Sequence, residues 1–304
     1  MRKEKSSLEN LEQRAGIIRA MRNYFYGQEF LEVETPIRIP APAPEAHIDS
    51  FESDGWFLQS SPELAMKRLL SRGHSRIFQI CKCFRRDERG SLHLTEMTML
   101  EWYTTGCTYL KLMEQCKGLV RHIARETGCG ESLRYQGKII DIGSSWEKIT
   151  VKEAFKRYTS FTMERAMADD RFDEIMAFEI EPELGIKVPT LIMDFPASMA
   201  ALARLKPDDP KFAERFELYI GGVELANGFS ELVDPVEQRA RFERAAKIRT
   251  LLNKPATPMP EPFLRDLENM PPAAGIALGV DRLVMLFTDC AEIDQVVAFT
   301  PENL

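Results

Sequence analysis

Two glutamates flank a glycine pair in the run Glu217-Leu218-Tyr219-Ile220-Gly221-Gly222-Val223-Glu224. Read as a two-residue hairpin turn, Gly221-Gly222 sets Ile220 opposite Val223 and Tyr219 opposite Glu224. Glu217 then shares a face with Tyr219 and lies diagonal to Glu224, at roughly 7–8 Å between backbones. Like charges so placed repel unless a cation sits between them. Oxygen ligands with room for water favour Mg2+, which typically arrives with nucleotide phosphates. Glu217 and Glu224 are therefore candidate metal ligands. A helix carrying Glu217, Glu224 and Glu231 on one wet face is the competing arrangement, and the glycine pair argues against it.

A second set of groups sits on two segments that read as strands, Ile77–Phe84 and Met97–Tyr103, joined by a charged stretch. Arg85 continues the face of Gln79, Cys81 and Cys83, so its planar fork emerges at the strand end, suited to a bidentate grip on phosphate or carboxylate. On the partner segment Met97, Met99, Glu101 and Tyr103 share one face. A carboxylate and a phenol beside two thioethers suit a pocket for an ammonium group; an edge strand with Glu101 in solvent is the plain alternative. Gly275-Ile276-Ala277-Leu278-Gly279-Val280-Asp281-Arg282 passes from strand to helix. A helix N-terminus with Arg282 in its first turn can hold phosphate, although the run lacks the spacing of a Walker loop or a dinucleotide fingerprint. Eight basic and two acidic residues fall between Lys67 and Arg89. Lys67, Arg68 and Arg72 among them fit a solvated helix face.

The elements that must position these groups follow from periodicity. Residues 8–26 read as an amphipathic helix stopped by Gly27. Phe30–Pro36 alternates like a strand ended by its proline, and the proline-rich stretch 37–55 reads as loop. Ser61-Pro62-Glu63 starts a helix. The strands at 77–84 and 97–103 form an antiparallel hairpin with a long, candidate functional loop. Residues 107–215 read as mainly helical, with a hairpin near 135–142. After the Gly-Gly hairpin come a charged helix at 235–252, a proline-rich connector at 255–262, a strand at 274–278 and a last helix from about Asp281. Long strands bracketing a helical block predict an α+β fold built on an antiparallel sheet flanked by helices.

The chain has 304 residues, 44 % hydrophobic and 29 % charged, so it can bury a full core. With 40 Lys+Arg against 47 Asp+Glu its formal charge is −7, which argues against a protein held to nucleic acid by charge alone. The polar start Met1–Asn10 precedes no apolar stretch of the signal-peptide kind, and no window approaches the ~18 apolar residues of a membrane span. Six cysteines never form a Cys-x-x-Cys pair. Cys81 and Cys83 fit one face of a buried strand, and a reduced, cytoplasmic protein is the expectation.

The same residues resemble the three motifs of the class II aminoacyl-tRNA synthetases, in particular the lysyl branch. Phe30-Leu31-Glu32-Val33-Glu34-Thr35-Pro36 resembles motif 1, the dimer element of that family. Phe84-Arg85-Arg86-Asp87 through Glu101-Trp102-Tyr103 resembles motif 2, and Gly279-Val280-Asp281-Arg282 resembles motif 3. Ser61-Pro62-Glu63-Leu64 and Glu224-Leu225-Ala226-Asn227-Gly228-Phe229-Ser230-Glu231-Leu232 are similar to lysyl-type signatures. Motif 1 begins near residue 27, leaving no room for the OB-fold anticodon-binding domain ahead of it. One catalytic domain over 1–304, with a helical insertion at about 107–215, is the expected organisation. A free-standing core of this size resembles the elongation factor P lysyl-ligases, which use ATP to activate lysine, by preference the (R)-β form, and pass it to a lysine side chain of elongation factor P. Ala277 agrees with that branch, since lysyl-tRNA synthetases usually have glycine there.

The resemblance implies a role for each matching residue. Arg85 would hold the α-phosphate and the substrate carboxylate, Arg282 the γ-phosphate, and Glu217 and Glu224 Mg2+. Asp87, His93, Met97, Leu225 and Gly279 would join Arg85, Glu224 and Arg282 around the nucleotide. Ser61 and Glu63 would lie at the amino group, Asn227 at the carboxylate, and Glu101, Tyr103 and Glu231 around the side-chain ammonium. The sequence departs from the family where Asp87 replaces a glutamate, Leu94 an asparagine and Met97 an adenine-stacking phenylalanine. A homodimer through motif 1 is implied, with tRNA and membrane not expected as partners. A tRNA-charging enzyme, another amino-acid ligase of this fold and a non-catalytic synthetase-derived module remain as alternatives.

Overall fold

The structure is a computed structural model that describes residues 7–304; the start of the charged N-terminal segment lies outside them. Helix α1 (Ser7–Gly27) leads into the short strand β1 (Leu31–Glu32). Strands β2 (Arg38–Ile39), β3 (Glu52–Ser53) and β4 (Trp56–Leu58) make a small sheet in the order β2-β4-β3. Helix α2 (Glu63–Leu70) precedes the hairpin of β5 (Arg76–Phe84) and β6 (Glu96–Thr105). Next come α3 (Tyr109–Glu126), a hairpin of β7 (Ser132–Tyr135) and β8 (Lys138–Asp141), and β9 (Glu147–Thr150). Short helices α4 (Val151–Tyr158), α5 (Met163–Ala168) and α6 (Phe172–Ile175) lead to β10 (Thr190–Pro196). Strands β11 (Phe212–Ile220) and β12 (Val223–Ser230), helices α7 (Pro235–Leu251) and α8 (Glu261–Leu267), strand β13 (Ala273–Gly279) and helix α9 (Val280–Thr288) complete the order.

The main sheet has eight strands in the order β1-β5-β6-β13-β12-β11-β10-β9. Its middle is antiparallel, as the expected α+β fold requires, and only the outer pairs β1·β5 and β10·β9 are parallel. Three stretches differ from the periodicity reading. The strand expected over Phe30–Pro36 pairs only at Leu31 and Glu32, with one more bond from Val33 N to Phe78 O at 2.9 Å before the chain leaves the edge. The proline-rich stretch supplies β2 and β3. The block 107–215 holds β9 and β10 as well as helices, and β10, Thr-Leu-Ile-Met-Asp-Phe-Pro, is buried at six of seven positions. Burial on both faces removes the alternation by which a strand is recognised.

The central strands are apolar on the face that the long helices cover and carry polar side chains along much of the other. On one face α1, α3 and α9 pack a large core of Ile17, Met21, Phe25, Leu112, Cys116, Val120, Leu283 and Val284 against Phe78, Leu100 and Trp102. Residues Leu112, Cys116, Leu119 and Ile123 recur at helical spacing, which turns one stripe of α3 onto the sheet. On the other face Met66, Leu70, Tyr103, Phe242 and Phe263 form a smaller core under α2, α7 and α8. Between that core and the strand ends the second face stays open as a cavity. None of the six cysteines is in a disulfide, and Cys81 and Cys83 Sγ lie 3.9 Å apart on one face of β5.

Trp102 is fully buried, 5.2 Å from the ring of Phe25, and its indole N–H donates to Gln115 Oε1 at 3.1 Å. Trp102→Ala removes both the packing and that donor, and is expected to lower unfolding free energy by ~3–5 kcal/mol, measured by urea denaturation.

Candidate active site

A cavity of about 480 Å3 opens on the sheet face opposite α1, α3 and α9. Of the predicted residues, Ser61, Glu63, Arg85, His93, Met97, Glu101, Tyr103, Glu224, Leu225, Asn227, Gly279 and Arg282 line it. The structure thus brings the end of β5, the outward face of β6, β12 and the start of α9 to one hollow. Asp87, Glu217 and Glu231 do not line it.

At the basic end, Arg85 follows β5, its Nη1 facing Glu88 at 3.3 Å. Arg85 Nε is buried with no acceptor, a donor that a ligand oxygen would satisfy. Arg282, in the first turn of α9, donates from Nε to Leu92 O at 3.1 Å and from Nη1 to Glu224 O at 2.9 Å. His93 packs on the same guanidinium, and burial together with Arg282 pushes its pKa below the ordinary imidazole value. The prediction for Asp87 needs correcting: its side chain points to solvent beside Arg86, while the next residue, Glu88, faces the cavity and Arg85. The turn after β5 rotates the chain by one residue, which strand alternation does not foresee.

The register around the glycine pair is as expected for Ile220↔Val223 and Tyr219↔Glu224. A bulge then intervenes, so Leu218 pairs with Ala226 and Glu217 with Asn227. The extra residue, Leu225, reaches the cavity, and Glu217 comes to lie opposite Asn227 on the same face, at the cavity's margin. Glu217 Oε1 accepts from Arg215 Nη2 at 2.7 Å and Oε2 from the Tyr219 hydroxyl at 2.9 Å. Burial, then the charge of Glu224, pushes Glu217 up to about 7. Glu181, which the sequence reading overlooked, adds a third carboxylate near Glu224, raised mainly by burial. Among the described residues no group of three or more acidic, His or Cys side chains converges as a metal cage. That donor set fits Mg2+, which is bound through one or two carboxylates and otherwise by phosphate and water.

At the acidic end, Glu101 accepts from Ser61 Oγ at 2.5 Å and from Tyr103 OH at 2.7 Å. Burial pushes Glu101 up to about 7, against the pull of those two hydroxyls. Lys67 overturns the solvated-face reading. It is 1 % exposed, 2.5 Å from Glu63, in contact with Glu231 and 5.2 Å from the ring centre of Phe229. One ammonium neutralises only one of its two carboxylates, and desolvation pushes Glu231 up to about 8. Met66, Lys67 and Leu70 lie on the buried stripe of α2, a helical spacing that was available in the sequence. Gly275 lets these groups meet: a Cβ there would lie 2.1 Å from the Tyr103 ring and 2.5 Å from Glu231 Oε1.

Comparison with known proteins agrees with this geometry. The family described as tRNA synthetases class II (D, K and N) matches residues 1–303. The chain belongs to that family. Proteins named elongation factor P--(R)-beta-lysine ligase resemble it along nearly their whole length. The one from Vibrio campbellii is 38 % identical over 311 residues, covering 97 % of this chain and 96 % of that protein. Those from Proteus mirabilis (38 %, covering 97 % and 95 %) and Haemophilus influenzae (37 %, covering 98 % and 97 %) are comparable. Membership of this synthetase family implies use of ATP. No helix among the described residues is long and apolar enough to cross a membrane.

The raised carboxyls give a pH dependence with a definite sign. Near pH 4.5, the ordinary carboxyl value, folded and unfolded chains begin to differ: above it the unfolded chain loses protons that Glu101, Glu217 and Glu231 keep until about 7 to 8. The native state then holds more protons, so these groups lower stability as pH rises through that interval. Glu231→Gln cannot titrate and should flatten the fall in Tm between about pH 5 and 8, by a few degrees. An unchanged slope in thermal scans would show that Glu231 does not titrate there.

Proposed function

We propose that this chain is an ATP-dependent ligase that activates lysine, by preference (R)-β-lysine, and transfers it to a lysine side chain of elongation factor P. What carries the reading is the pairing, in one cavity, of two guanidinium groups with a carboxylate slot, in a chain that matches elongation factor P--(R)-beta-lysine ligases end to end. ATP and the amino acid are both substrates. Arg85 holds the α-phosphate and the reacting carboxylate through its unsatisfied N–H, and Arg282 the γ-phosphate. Gly279 allows the nucleotide close to the backbone, and His93, Met97 and Leu225 border its base; a thioether against an aromatic ring is worth about 0.3–1.5 kcal/mol. Glu224 and Glu217 are the residues that would hold Mg2+, which when bound neutralises phosphate charge. Ser61 and Glu63 meet the amino group, Asn227 the carboxylate, and Glu101, Tyr103 and Glu231 the side-chain ammonium.

In the first half-reaction a carboxylate oxygen attacks the α-phosphorus and the bond to pyrophosphate breaks. In the second, a neutral amine of the acceptor attacks the acyl carbon and AMP leaves. Both halves need positioning and charge stabilisation. Neither needs a nucleophilic side chain. The methyl of Ala277, which lines the cavity between Asn227 and Glu101 on neighbouring strands, narrows the space for the amino-acid backbone; one such group discriminates by ~1–3 kcal/mol. A cytoplasmic enzyme with one catalytic domain, paired through the motif 1 surface where Tyr26, Leu31 and Ile37 are exposed, completes the reading.

The purified chain is expected to catalyse pyrophosphate exchange dependent on (R)-β-lysine and to raise the intact mass of elongation factor P by one lysyl residue. Exchange without labelling of the factor would overturn the acceptor, and efficient charging of tRNA-Lys would favour the aminoacylating alternative. Arg282→Ala is expected to weaken Mg2+-dependent ATP binding at least tenfold while lysine binding persists, read by calorimetry. Unchanged nucleotide affinity would remove Arg282 from the phosphate site.

A further inference from the structure

Arg215 lines the cavity on β11, yet neither the sequence reading nor the resemblance gives it a role. Its guanidinium is 16 % exposed, lies 4.4 Å from the ring centre of Phe195, and every arm of the fork is engaged. Nη1 donates to Met199 O at 2.8 Å and Nη2 to Glu217 Oε1 at 2.7 Å. Nε donates to Asn227 Oδ1 at 3.1 Å. A primary amide carries its acceptor and its donors on opposite sides of one carbon. Tying Oδ1 to β11 therefore turns the Nδ2 donors of Asn227 away from β11. On that other side the register partner is Ala277, whose methyl accepts nothing. The amide N–H groups are left to the cavity.

We infer that Arg215 is a positioning residue, which fixes the amide of Asn227 with its N–H donors presented to the carboxylate of the bound amino acid. Without that fork the amide can turn over and present an acceptor, which a carboxylate repels. Planarity matters as much as charge, because a lysine ammonium cannot reach Asn227, Met199 and Glu217 from one fixed plane. The assignment rests on the proposed amino-acid substrate and adds to it the group that orients one contact.

Lysine and 1,5-diaminopentane, which has both amines and no carboxylate, separate this role from a general one. Calorimetry on the full-length wild type, Arg215→Lys, Asn227→Ala and the double variant is expected to show lysine binding weakened roughly tenfold or more in all three variants. Diaminopentane binding should stay within about twofold of wild type, since a lost carboxylate contact leaves it untouched. The double variant should bind lysine no more weakly than Asn227→Ala alone, because two residues acting through one contact are not additive. Equal weakening of both ligands, or additive losses, would overturn the positioning role. Wild type that binds neither lysine nor (R)-β-lysine would instead overturn the functional reading beneath it.

Discussion

A carboxylate taken out of water must find a cation, a donor or a proton, and this site hides three, with a fourth half-buried on the loop beside Arg85. Glu101, Glu217 and Glu231 are nearly inaccessible, and Glu45 beside Arg85 is raised to about 7 by burial. Isolated, each would be protonated or expel its neighbours. Lys67 sits between Glu63 and Glu231, Arg215 grips Glu217, and Ser61 with Tyr103 donates to Glu101. Each compensating group comes from a separate element or from a neighbouring position on the same strand. The fold's principal task on this face is to bring them together.

The opposite face supplies the rigidity that task needs. Arg14 of α1 pairs with Asp281 at 2.7 Å and donates to Thr98 Oγ1 at 2.8 Å, while Asp281 Oδ2 accepts from Thr98 N at 2.7 Å. One carboxylate thereby ties the first turn of α9, which carries Arg282, to β6, which carries Glu101. The link crosses from the long helix to the sheet, so the basic and acidic ends of the cavity cannot drift apart independently. Arg249 of α7 plays a similar part on the rim, binding the carbonyls of Glu45 and Ile48 at 3.0 and 2.9 Å and Asp49 at 2.8 Å.

Much of this was legible in the order of residues, and the rest was lost for identifiable reasons. Period-two alternation located Met97, Met99, Glu101 and Tyr103 on one face, and the glycine pair set the first two register pairs of its hairpin. Alternation says nothing of a bulge, which sets Glu217 opposite Asn227 and brings Leu225 to the cavity. It also says nothing of how a turn rotates, so Glu88 faces Arg85 where Asp87 was expected. Arg215 shares the odd-numbered face with Glu217 and Tyr219, but its partners Asn227 and Met199 come to it only through the folded sheet. Lys67 was misjudged because neighbouring basic residues suggest solvent, although Met66 and Leu70 mark a buried stripe. Glu181 reaches Glu224 only through tertiary folding, for which no local pattern exists.

The placement of charged groups also gives the site a direction. Arg85 and Arg282 bring guanidinium donors to one end, each with a carboxylate beside it (Glu88 and Glu224, both at 3.3 Å), while Glu63, Glu101 and Glu231 outnumber Lys67 at the other. A guest with an anionic group at one end and amines at the other meets guanidinium donors and carboxylate acceptors at the matching ends. On the proposed reading the carboxylate must point at phosphorus to react, and this placement of donors and acceptors selects the orientation in which it does. The buried carboxyls, held near neutral pH by desolvation, become fully charged only when a cation joins them, so the slot gains its attraction as the guest arrives. On that reading, specificity for an amine-bearing acid and activation of its carboxylate share one cause: guanidinium donors and carboxylates held at the two ends of one cavity.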